Sequence, residues 1–246
     1  MNGNDKKRYA EFLRLVKDRH SVRKFTAEPV SSEEIDMILE AARYAMSGGN
    51  SQPWEFIIIT DMEKKRQLRA VYERDEFRWT YWLERQRQPE YRHPVFNFEP
   101  DEIEQRASRA SAVFLAPVLI ALVYDPRRQF GSVLSARAEM ADGSRSVISC
   151  TMGHISMLIH LAVASLGLGS CRVDCNQQQG YRQLLELPEP LQLYCFVPVG
   201  HEDPSGSLAR KERHSAAALT HRETYDVCRL MKDDEVLQYI ASVHLR

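Results

Sequence analysis

The chain has 246 residues and a formal net charge of −1, and 43% of its residues are hydrophobic while 27% are charged. This length suits one large domain with a substantial core, and the near-neutral charge gives no overall field that would attract nucleic acid or an anionic membrane. The longest apolar run, residues 113–124, is much shorter than the roughly 20 residues that cross a bilayer.

The N-terminal region is predicted to begin with a helix over residues 6–16, because Tyr9, Phe12, Leu13 and Val16 lie on one helical face. No apolar segment of the secretory-signal type precedes this helix, and the five cysteines are scattered without a disulfide pattern. Both observations fit a cytoplasmic protein, and the cysteine spacing predicts no metal site.

A dense basic run, residues 19–25, follows this helix and reads Arg-His-Ser-Val-Arg-Lys-Phe. Arginine offers paired donors to an anion, and nearby backbone N–H groups can add more. Basic runs of this kind are also common on solvated surface loops. The run by itself therefore leaves an anion site and a solvated loop as open alternatives.

A capping box predicts where the next helix starts. Ser31 and Glu34 have the spacing at which each side chain bonds the backbone N–H of the other. Apolar residues then recur at helical spacing as far as Met46, and we expect the helix to end in the Ser-Gly-Gly sequence at 47–49. The next predicted elements are a buried strand over 56–59 and a helix over 63–72.

Residues 73–109 differ from the rest of the chain, since they are rich in arginine and aromatic residues and are interrupted by Pro89, Pro94 and Pro100. Interleaved basic and aromatic side chains can bind single-stranded nucleic acid. Acidic residues are mixed through the segment and dilute any basic patch. We therefore favour a lid or insertion over a cleft, whose long side chains cover apolar surface.

The second half of the chain alternates between strand and helix patterns. Its predicted elements are a strand over 118–124, a polar connection over 125–145, a helix over 146–166, a strand or extended loop over 170–174, a helix over 181–187, a strand over 191–199, a basic cluster at 210–213 and an amphipathic helix over 233–244. The helix over 146–166 is apolar on most sides, which is typical of a buried core or interface helix. His154 and His160 face opposite sides of it, which argues against a shared metal.

Several blocks of this sequence occur in a recognisable order. The basic run is followed by Met46–Phe56 with Gln-Pro-Trp near its end, by Leu166–Ser170 with Gly-Leu-Gly, by Val197–Gly200 with Val-Pro-Val-Gly, and by Lys211–Arg213 with Lys-Glu-Arg. Together these blocks resemble the FMN-dependent nitroreductase superfamily, and the resemblance runs from about residue 19 to 225. Only the Gln-Pro-Trp block is specific by itself, and it is the order of all five that carries the resemblance.

The resemblance implies a fold and an activity. The expected fold is α+β and nitroreductase-like, with a central mixed, mainly antiparallel sheet flanked by helices. Residues 1–246 would form a single domain with 73–109 as its lid, and two subunits would intertwine as a homodimer with FMN at the interface. The expected activity is that of an FMN-dependent oxidoreductase: NADH or NADPH reduces the flavin, which reduces an electron-poor aromatic such as a nitroarene, quinone or halophenol in ping-pong order.

The resemblance also assigns cofactor-binding residues. Those expected around the FMN phosphate are Arg19, Ser21, Arg23, Lys211 and Arg213, with His20 contributing through its backbone. Those expected to approach the flavin from the partner subunit are Ser47, Gly48, Gly49 and Asn50. Arg172, Val173 and Asp174 would pass the reactive edge of the flavin, with the backbone N–H of Asp174 as the candidate catalytic group near N5.

The lid suggests the substrate. Its length and its acidic-then-aromatic start resemble the flavin-dependent dehalogenases such as iodotyrosine deiodinase, which hold the amino-acid part of the substrate with a Glu-x-x-x-Tyr pair and a lysine. Glu76 matches the glutamate and Tyr81 is one residue out of register, while no lysine is present and Arg85, Arg87 or Arg92 would take its place. The expected substrate-binding residues are Gly49, Glu76, Tyr81 and Arg85, and the arginines of the lid favour an anionic small aromatic substrate, a phenolate or a carboxylate.

Two other functions stay open at this point. A reductive dehalogenase or a flavin-fragmenting relative would have the same fold and cofactor. A flavin- or nucleic-acid-binding protein without turnover would explain the basic residues without any chemistry.

Overall fold

An antiparallel sheet forms the centre of the fold. The computed structural model describes residues 3–128, 141–206, 212–225 and 232–244. The strands are β1 (Trp54–Ile59), β2 (Val118–Tyr124), β3 (Gly169–Ser170), β4 (Val173–Asp174) and β5 (Gln192–Gly200). Their order is β1-β2-β5-β3, with β4 also pairing with β5, and these pairs are antiparallel. The expected α+β fold with a mainly antiparallel sheet is confirmed.

Alternate side chains of the central strand β2 enter two cores on opposite faces of the sheet, as the period of two along a strand requires. Val118, Ile120 and Leu122 pack in a cluster with helices α2 (Ser32–Ala42) and α6 (Ala141–Ser165). Leu119, Ala121 and Val123 pack in a second cluster with helices α3 (Met62–Val71) and α7 (Gln178–Leu184). The sheet is thus covered by helices on both faces.

Helix α2 begins as the capping box predicts and ends earlier than expected. Ser31 accepts a hydrogen bond from the backbone N–H of Glu34, and the Glu34 carboxylate accepts one from the backbone N–H of Ser31. The prediction that the helix continues to 47–49 is wrong. After Ala42 the chain tightens, because Ala45 donates to the carbonyl three residues back rather than four.

Two helices present apolar side chains to solvent. Helix α1 (Gly3–Asp18) has no buried residue, and its predicted apolar face exposes Tyr9, Phe12 and Val16. Helix α6 buries one face in the core but exposes Val147 and Met157. Its stretch Val147–Ser165 is long and apolar enough to cross a membrane by length and composition, with a mean hydropathy of 1.7, and 44% of it is buried inside the protein.

The lid segment is helical and has a small core of its own. Helix α3 continues into a π-helix, Tyr72–Arg78, and then into α4 (Trp79–Arg85). Short 3₁₀ turns start at each of the three prolines, and α5 (Ile103–Ser111) completes the segment. The side chains of Phe77, Tyr81, Phe98, Ile103 and Ala107 pack together between these elements.

The chain divides into two compact units, residues 1–208 and 209–246. The second unit contains helix α8 (Asp233–His244), which was predicted with the same bounds. The prediction of a single domain over the whole chain stays a prediction. Helix α7 starts three residues before its predicted position, and it ends before Glu186, whose φ of 52° is incompatible with a continuing helix.

Candidate functional site

The basic run forms an extended segment along the edge of the sheet. Ser21 makes a parallel bridge with Ser170 in β3, and the N–H of Val22 donates to the Ser170 carbonyl at 2.9 Å. Phe25 bridges Glu202, just beyond the end of β5. A Cβ on Gly169 would lie 2.7 Å from the Val22 side chain, so the close approach of the two segments requires glycine there.

The cationic side chains of this run have different environments. His20 Nε2 lies 3.1 Å from the Glu202 carboxylate, and Lys24 Nζ lies 3.1 Å from that of Asp203. Within the described part of the chain, Arg19 and Arg23 take part in neither a hydrogen bond nor an ion pair of their side chains. Two guanidinium groups are therefore available to bind an anion.

A cavity of about 420 Å³ opens between this edge of the sheet and the lid. From the sheet side it is lined by Arg23, Cys171, Arg172, Val173, Asp174 and Asn176, and from the lid side by Tyr72, Glu76, Phe77, Thr80, Phe96, Ala110 and Val113. It brings Arg23, which was expected at the phosphate, and Arg172–Asp174, which were expected at the flavin edge, together with Glu76, which was expected at the substrate. Its volume is within the range of roughly 300–1,000 Å³ that is usual for small-molecule sites.

The segment expected at the flavin edge is held by backbone pairing and by one arginine. Val173 pairs with Phe196 and Asp174 with Cys195 of β5. The Nε of Arg172 donates to the Asp174 carboxylate at 2.6 Å, and its guanidinium lies 4.5 Å from the centre of the Tyr194 ring. The two charges at this edge of the cavity therefore neutralise each other, while the β4 backbone keeps a fixed path.

Glu76 projects from the π-helix into the cavity wall, where only 6% of the residue is exposed. One of its oxygens accepts a hydrogen bond from the backbone N–H of Gln177 at 2.7 Å, and the other accepts one from Asn176 Nδ2 at 3.3 Å. Among the described residues it has no cationic partner. A buried carboxylate needs donors of this kind, because burial removes its hydration.

The other two lid residues expected at the substrate lie away from the cavity. Tyr81 is fully buried in the lid core, where its hydroxyl donates to the Phe98 carbonyl at 3.2 Å and its ring stacks on that of Phe98. Arg85 donates to the same carbonyl at 3.4 Å and lies 3.7 Å from Glu99. These positions do not favour the expected substrate contacts, and Thr80 lines the cavity instead.

The loop that contains Ser47, Gly48, Gly49 and Asn50 does not line this cavity in a single chain. Its backbone is unusual, since Gly49, Asn50 and Gln52 have φ values of 58°, 52° and 42°. Ser47 stabilises the loop by accepting a hydrogen bond from the N–H of Gln52 at 3.1 Å. Left-handed backbone at non-glycine residues is costly and is concentrated at functional sites.

Burial changes the titration of groups around the site. It raises the pKa of the Cys171 thiol to about 12 and holds that of Cys175 well above its usual value. Neither thiol is therefore suited to act as a nucleophile at neutral pH. The buried His160, whose Nδ1 lies 2.8 Å from Ser170 Oγ behind the edge strand, has a pKa lowered to about 4 by burial and by Arg19 and Arg172.

The C-terminal residues expected at the phosphate belong to the second unit. Lys211 lies outside the described residues, and Arg213 is exposed within the unit over 209–246. Sequence reasoning missed several cavity residues: Tyr72 directly before the lid, and Phe77, Thr80 and Phe96 within it. Their aromatic content was visible in the sequence, but which of the many lid aromatics face the cavity was not.

Comparison with known proteins places these features in context. The model of the nitroreductase family matches residues 16–201. The chain is 25% identical to FMN reductase [NAD(P)H] of Bacillus subtilis over 240 residues, which are 94% of this chain and 78% of that protein. It is 29% identical to iodotyrosine deiodinase of Thermotoga neapolitana over 207 residues, or 80% of this chain and 92% of that protein.

A relative that matches over a shorter stretch and two solved structures agree with the match to the nitroreductase family. Iodotyrosine deiodinase of Nematostella vectensis is 39% identical over 71 residues, and the match covers 29% of this chain and only 27% of that protein's length. The crystal structure of an oxidized iodotyrosine deiodinase bound to FMN and 3-iodo-L-tyrosine has a TM-score of 0.63 at 23% identity, covering 87% of this chain and 99% of that one. The structure of B. megaterium NfrA2 also has a TM-score of 0.63 at 23% identity, with 94% and 80% covered. At this identity the structures establish the fold.

Proposed function

Since the chain belongs to the nitroreductase family of flavin oxidoreductases, we propose that it binds FMN, takes electrons from NADH or NADPH and passes them to an electron-poor aromatic compound. The observation that carries the proposal is the cavity, in which Arg23 and the segment Arg172–Asp174 face Tyr72 and the lid residues Phe77 and Phe96. Cationic and backbone groups suited to a flavin phosphate and ring thus lie opposite an aromatic wall.

The residues present fit FMN. Arg19 and Arg23 have guanidinium groups that no carboxylate among the described residues occupies, and a phosphate with nearly two negative charges needs donors of this kind. The hydroxyl of Ser21 lies between them in the sequence. Bound FMN supplies the hydride acceptance and electron transfer that side chains lack.

The chain's own groups at the flavin edge are the β4 backbone and Arg172. We propose that the N–H of Asp174 donates a hydrogen bond to the flavin and thereby stabilises its reduced form. Because Arg172 is held by Asp174 and Tyr194, its charge stays in place beside the cavity. Catalysis then depends on positioning and electrostatics rather than on a side-chain acid or base.

A flat aromatic acceptor fits the lid side of the cavity. Phe77 and Phe96 are in tilted contact, with ring centres 5.6 Å apart, and Tyr72 packs against Phe114 beneath them. Aromatic walls favour offset or edge contacts with a ring in the cavity. Nitroarenes, quinones and halophenols are the proposed acceptors.

We propose that the working form is a cytoplasmic homodimer. The exposed apolar face of α1 and the exposed Val147 and Met157 of α6 are surfaces that a second copy would cover. The loop with Ser47, Gly48, Gly49 and Asn50 would then complete the cofactor site of the partner subunit. Its left-handed backbone gives it the rigid shape that such a contact requires.

A colour test decides the main proposal. The purified protein should be yellow, release FMN on denaturation, lose its colour with NADH or NADPH and regain it with a nitroarene under anaerobic conditions. A colourless protein that does not take up added FMN would refute the proposal. The nicotinamide that bleaches the flavin faster is the preferred reductant.

Reductive dehalogenation is the second candidate, and one observation favours it. The Thermotoga neapolitana deiodinase aligns over most of both chains, and Glu76 lies in the cavity where the dehalogenases resembled here use a glutamate. A yellow protein that no nicotinamide reduces, but that releases iodide from an iodophenol after chemical reduction, would establish this activity instead. Thr80 in place of a tyrosine makes the halogenated amino acid a less suitable substrate than the phenol.

A further inference from the structure

Glu76 connects two parts of the cavity wall that are 100 residues apart in sequence. It projects from the π-helix at the base of the lid, and both of its oxygens accept hydrogen bonds from the segment that leaves β4, at Asn176 and Gln177. That segment directly follows Val173 and Asp174. The lid and the backbone proposed to meet the flavin are therefore joined through one side chain.

A second contact brings the same two parts together. A Cβ on Gly180, in the first turn of α7, would lie 2.8 Å from Cγ1 of Val71 and 3.2 Å from the Asp75 carboxylate. The start of α7 is therefore packed directly on the helix that carries Glu76, and only glycine allows that distance. The hydrogen bonds of Glu76 lie at a junction that is already close-packed.

The base of the lid is ordered by contacts within this chain. The carboxylate of Glu73 accepts hydrogen bonds from Arg69 at 3.0 Å and from Ser111 Oγ at 2.5 Å. Arg69 also donates to the carbonyl of Ser108, which ties α3 to the end of α5. With the small core around Phe77, these bonds hold the lid base in place.

We propose that Glu76 is a positioning residue that fastens the lid to the segment leaving β4, so that the aromatic wall and the flavin-edge backbone form one rigid unit before an acceptor binds. This inference rests on the proposed function in one respect, namely that β4 lies at the flavin edge. The contact of Glu76 with Asn176 and Gln177 itself belongs to the polypeptide alone. The proposed role of Glu76 is therefore to shape the cavity rather than to recognise an amino group on the substrate.

The two roles predict different behaviour. A glutamate that binds a substrate ammonium acts through its charge, and losing that charge raises KM for amino-acid acceptors alone. A glutamate that holds Gln177 and Asn176 acts through its oxygens as acceptors. Glu76→Gln keeps an acceptor oxygen for the Gln177 N–H, whereas Glu76→Met has the same length and leaves that N–H unpaired.

The first experiment measures amide hydrogen exchange in residues 174–177 without added FMN or substrate. Exchange in Glu76→Met should be about tenfold faster or more than in the wild type, as expected for the loss of a charge-assisted hydrogen bond. Glu76→Gln should lie between the two, and Glu90→Gln, which changes an exposed lid carboxylate, should match the wild type. Equal exchange in all four proteins would overturn the proposal, and this result does not depend on whether the protein binds FMN.

The second experiment compares acceptors in the FMN-loaded enzyme. With Glu76→Gln, KM should change by the same factor for a simple halophenol and for 3-iodo-L-tyrosine, and the visible spectrum of the bound flavin should stay close to that of the wild type. With Glu76→Met, kcat should fall for both acceptors and the flavin spectrum should shift. A selective rise in KM for the amino acid with Glu76→Gln would contradict the proposal. If Glu76→Met does not fold, the Glu76→Gln comparison still decides. A wild type without FMN would refute the proposed function only.

Discussion

The backbone N–H of Val22 donates to the carbonyl of Ser170, and this bond places the basic run beside the cavity. Gly169→Ala tests how closely these segments must approach, because the new Cβ would lie 2.7 Å from the Val22 side chain. We expect a loss of stability of about 1–3 kcal/mol, as is usual for overpacking. Urea unfolding measures it. Gly153→Ala is the control, since its Cβ would meet no atom within 4 Å and it lies in a helix; equal stability of the two variants would contradict the prediction.

Arg23 should affect the retention of FMN much more than the stability of the fold. Arg23→Ala removes a cavity guanidinium with no carboxylate partner among the described residues, so we expect FMN to dissociate at least about tenfold more readily, with little change in unfolding midpoint. Lys24→Ala is the matched control, because Lys24 is paired with Asp203 and does not line the cavity. FMN fluorescence after dialysis measures the retained cofactor. If Arg23→Ala stays as yellow as the control, its assignment to FMN is wrong.

The positions of Thr80 and Tyr81 show what sequence patterns can predict here and what they cannot. The strands and most helices followed from apolar periodicity, and the start of α2 followed from the pairing of Ser31 with Glu34. The side-chain positions in the lid could not be predicted in this way, because its π-helix has wider turns than the 3.6-residue period assumes. Thr80 therefore lines the cavity, while Tyr81 enters the lid core.

Contacts between segments that are distant in sequence were also hard to predict. The order of sequence blocks was enough to expect Arg23 and Arg172–Asp174 in one site, and the structure brings them to one cavity. The bonds from Asn176 and Gln177 to Glu76 depend on how the lid packs after folding, and neither residue type signals them. Local patterns thus predict elements and their chemistry, but the partners of a buried carboxylate follow only from the packing.

His160 should make stability depend on pH. Its pKa falls from about 6.5 to about 4 on folding, so below pH 6.5 the unfolded chain binds a proton that the folded chain does not. The contribution of the neutral imidazole is complete above pH 6.5 and is lost as the pH falls towards 4, by about 3 kcal/mol in total. Urea unfolding between pH 4 and 7.5 measures the slope. His160→Asn, which keeps a polar atom near Ser170, should reduce it; an unchanged slope would rule out His160 as its source.

Phe12 tests whether a second copy covers the α1 face. It is 55% exposed in the single chain, so Phe12→Asp should not disturb the core. In a dimer the new carboxylate would be desolvated against apolar side chains, and we expect dissociation to monomers together with loss of FMN. Sedimentation measures the oligomeric state. Tyr91→Asp, at an exposed lid residue, is the control; if Phe12→Asp has the same mass and colour as this control, α1 is not the dimer surface.

Phe96 separates binding of the aromatic acceptor from reduction of the flavin. It lines the cavity from the lid and contacts Phe77, so Phe96→Ala removes part of the wall proposed to contact the acceptor. We expect KM for a nitroarene or halophenol to rise about tenfold, since an aromatic contact and its buried area are lost. The rate of flavin reduction by NAD(P)H, measured by stopped flow without acceptor, should change less than twofold or so, because a ping-pong reaction completes that step first. A parallel loss in both half-reactions would show that Phe96 supports the flavin site as a whole, and an unchanged KM would place the acceptor elsewhere.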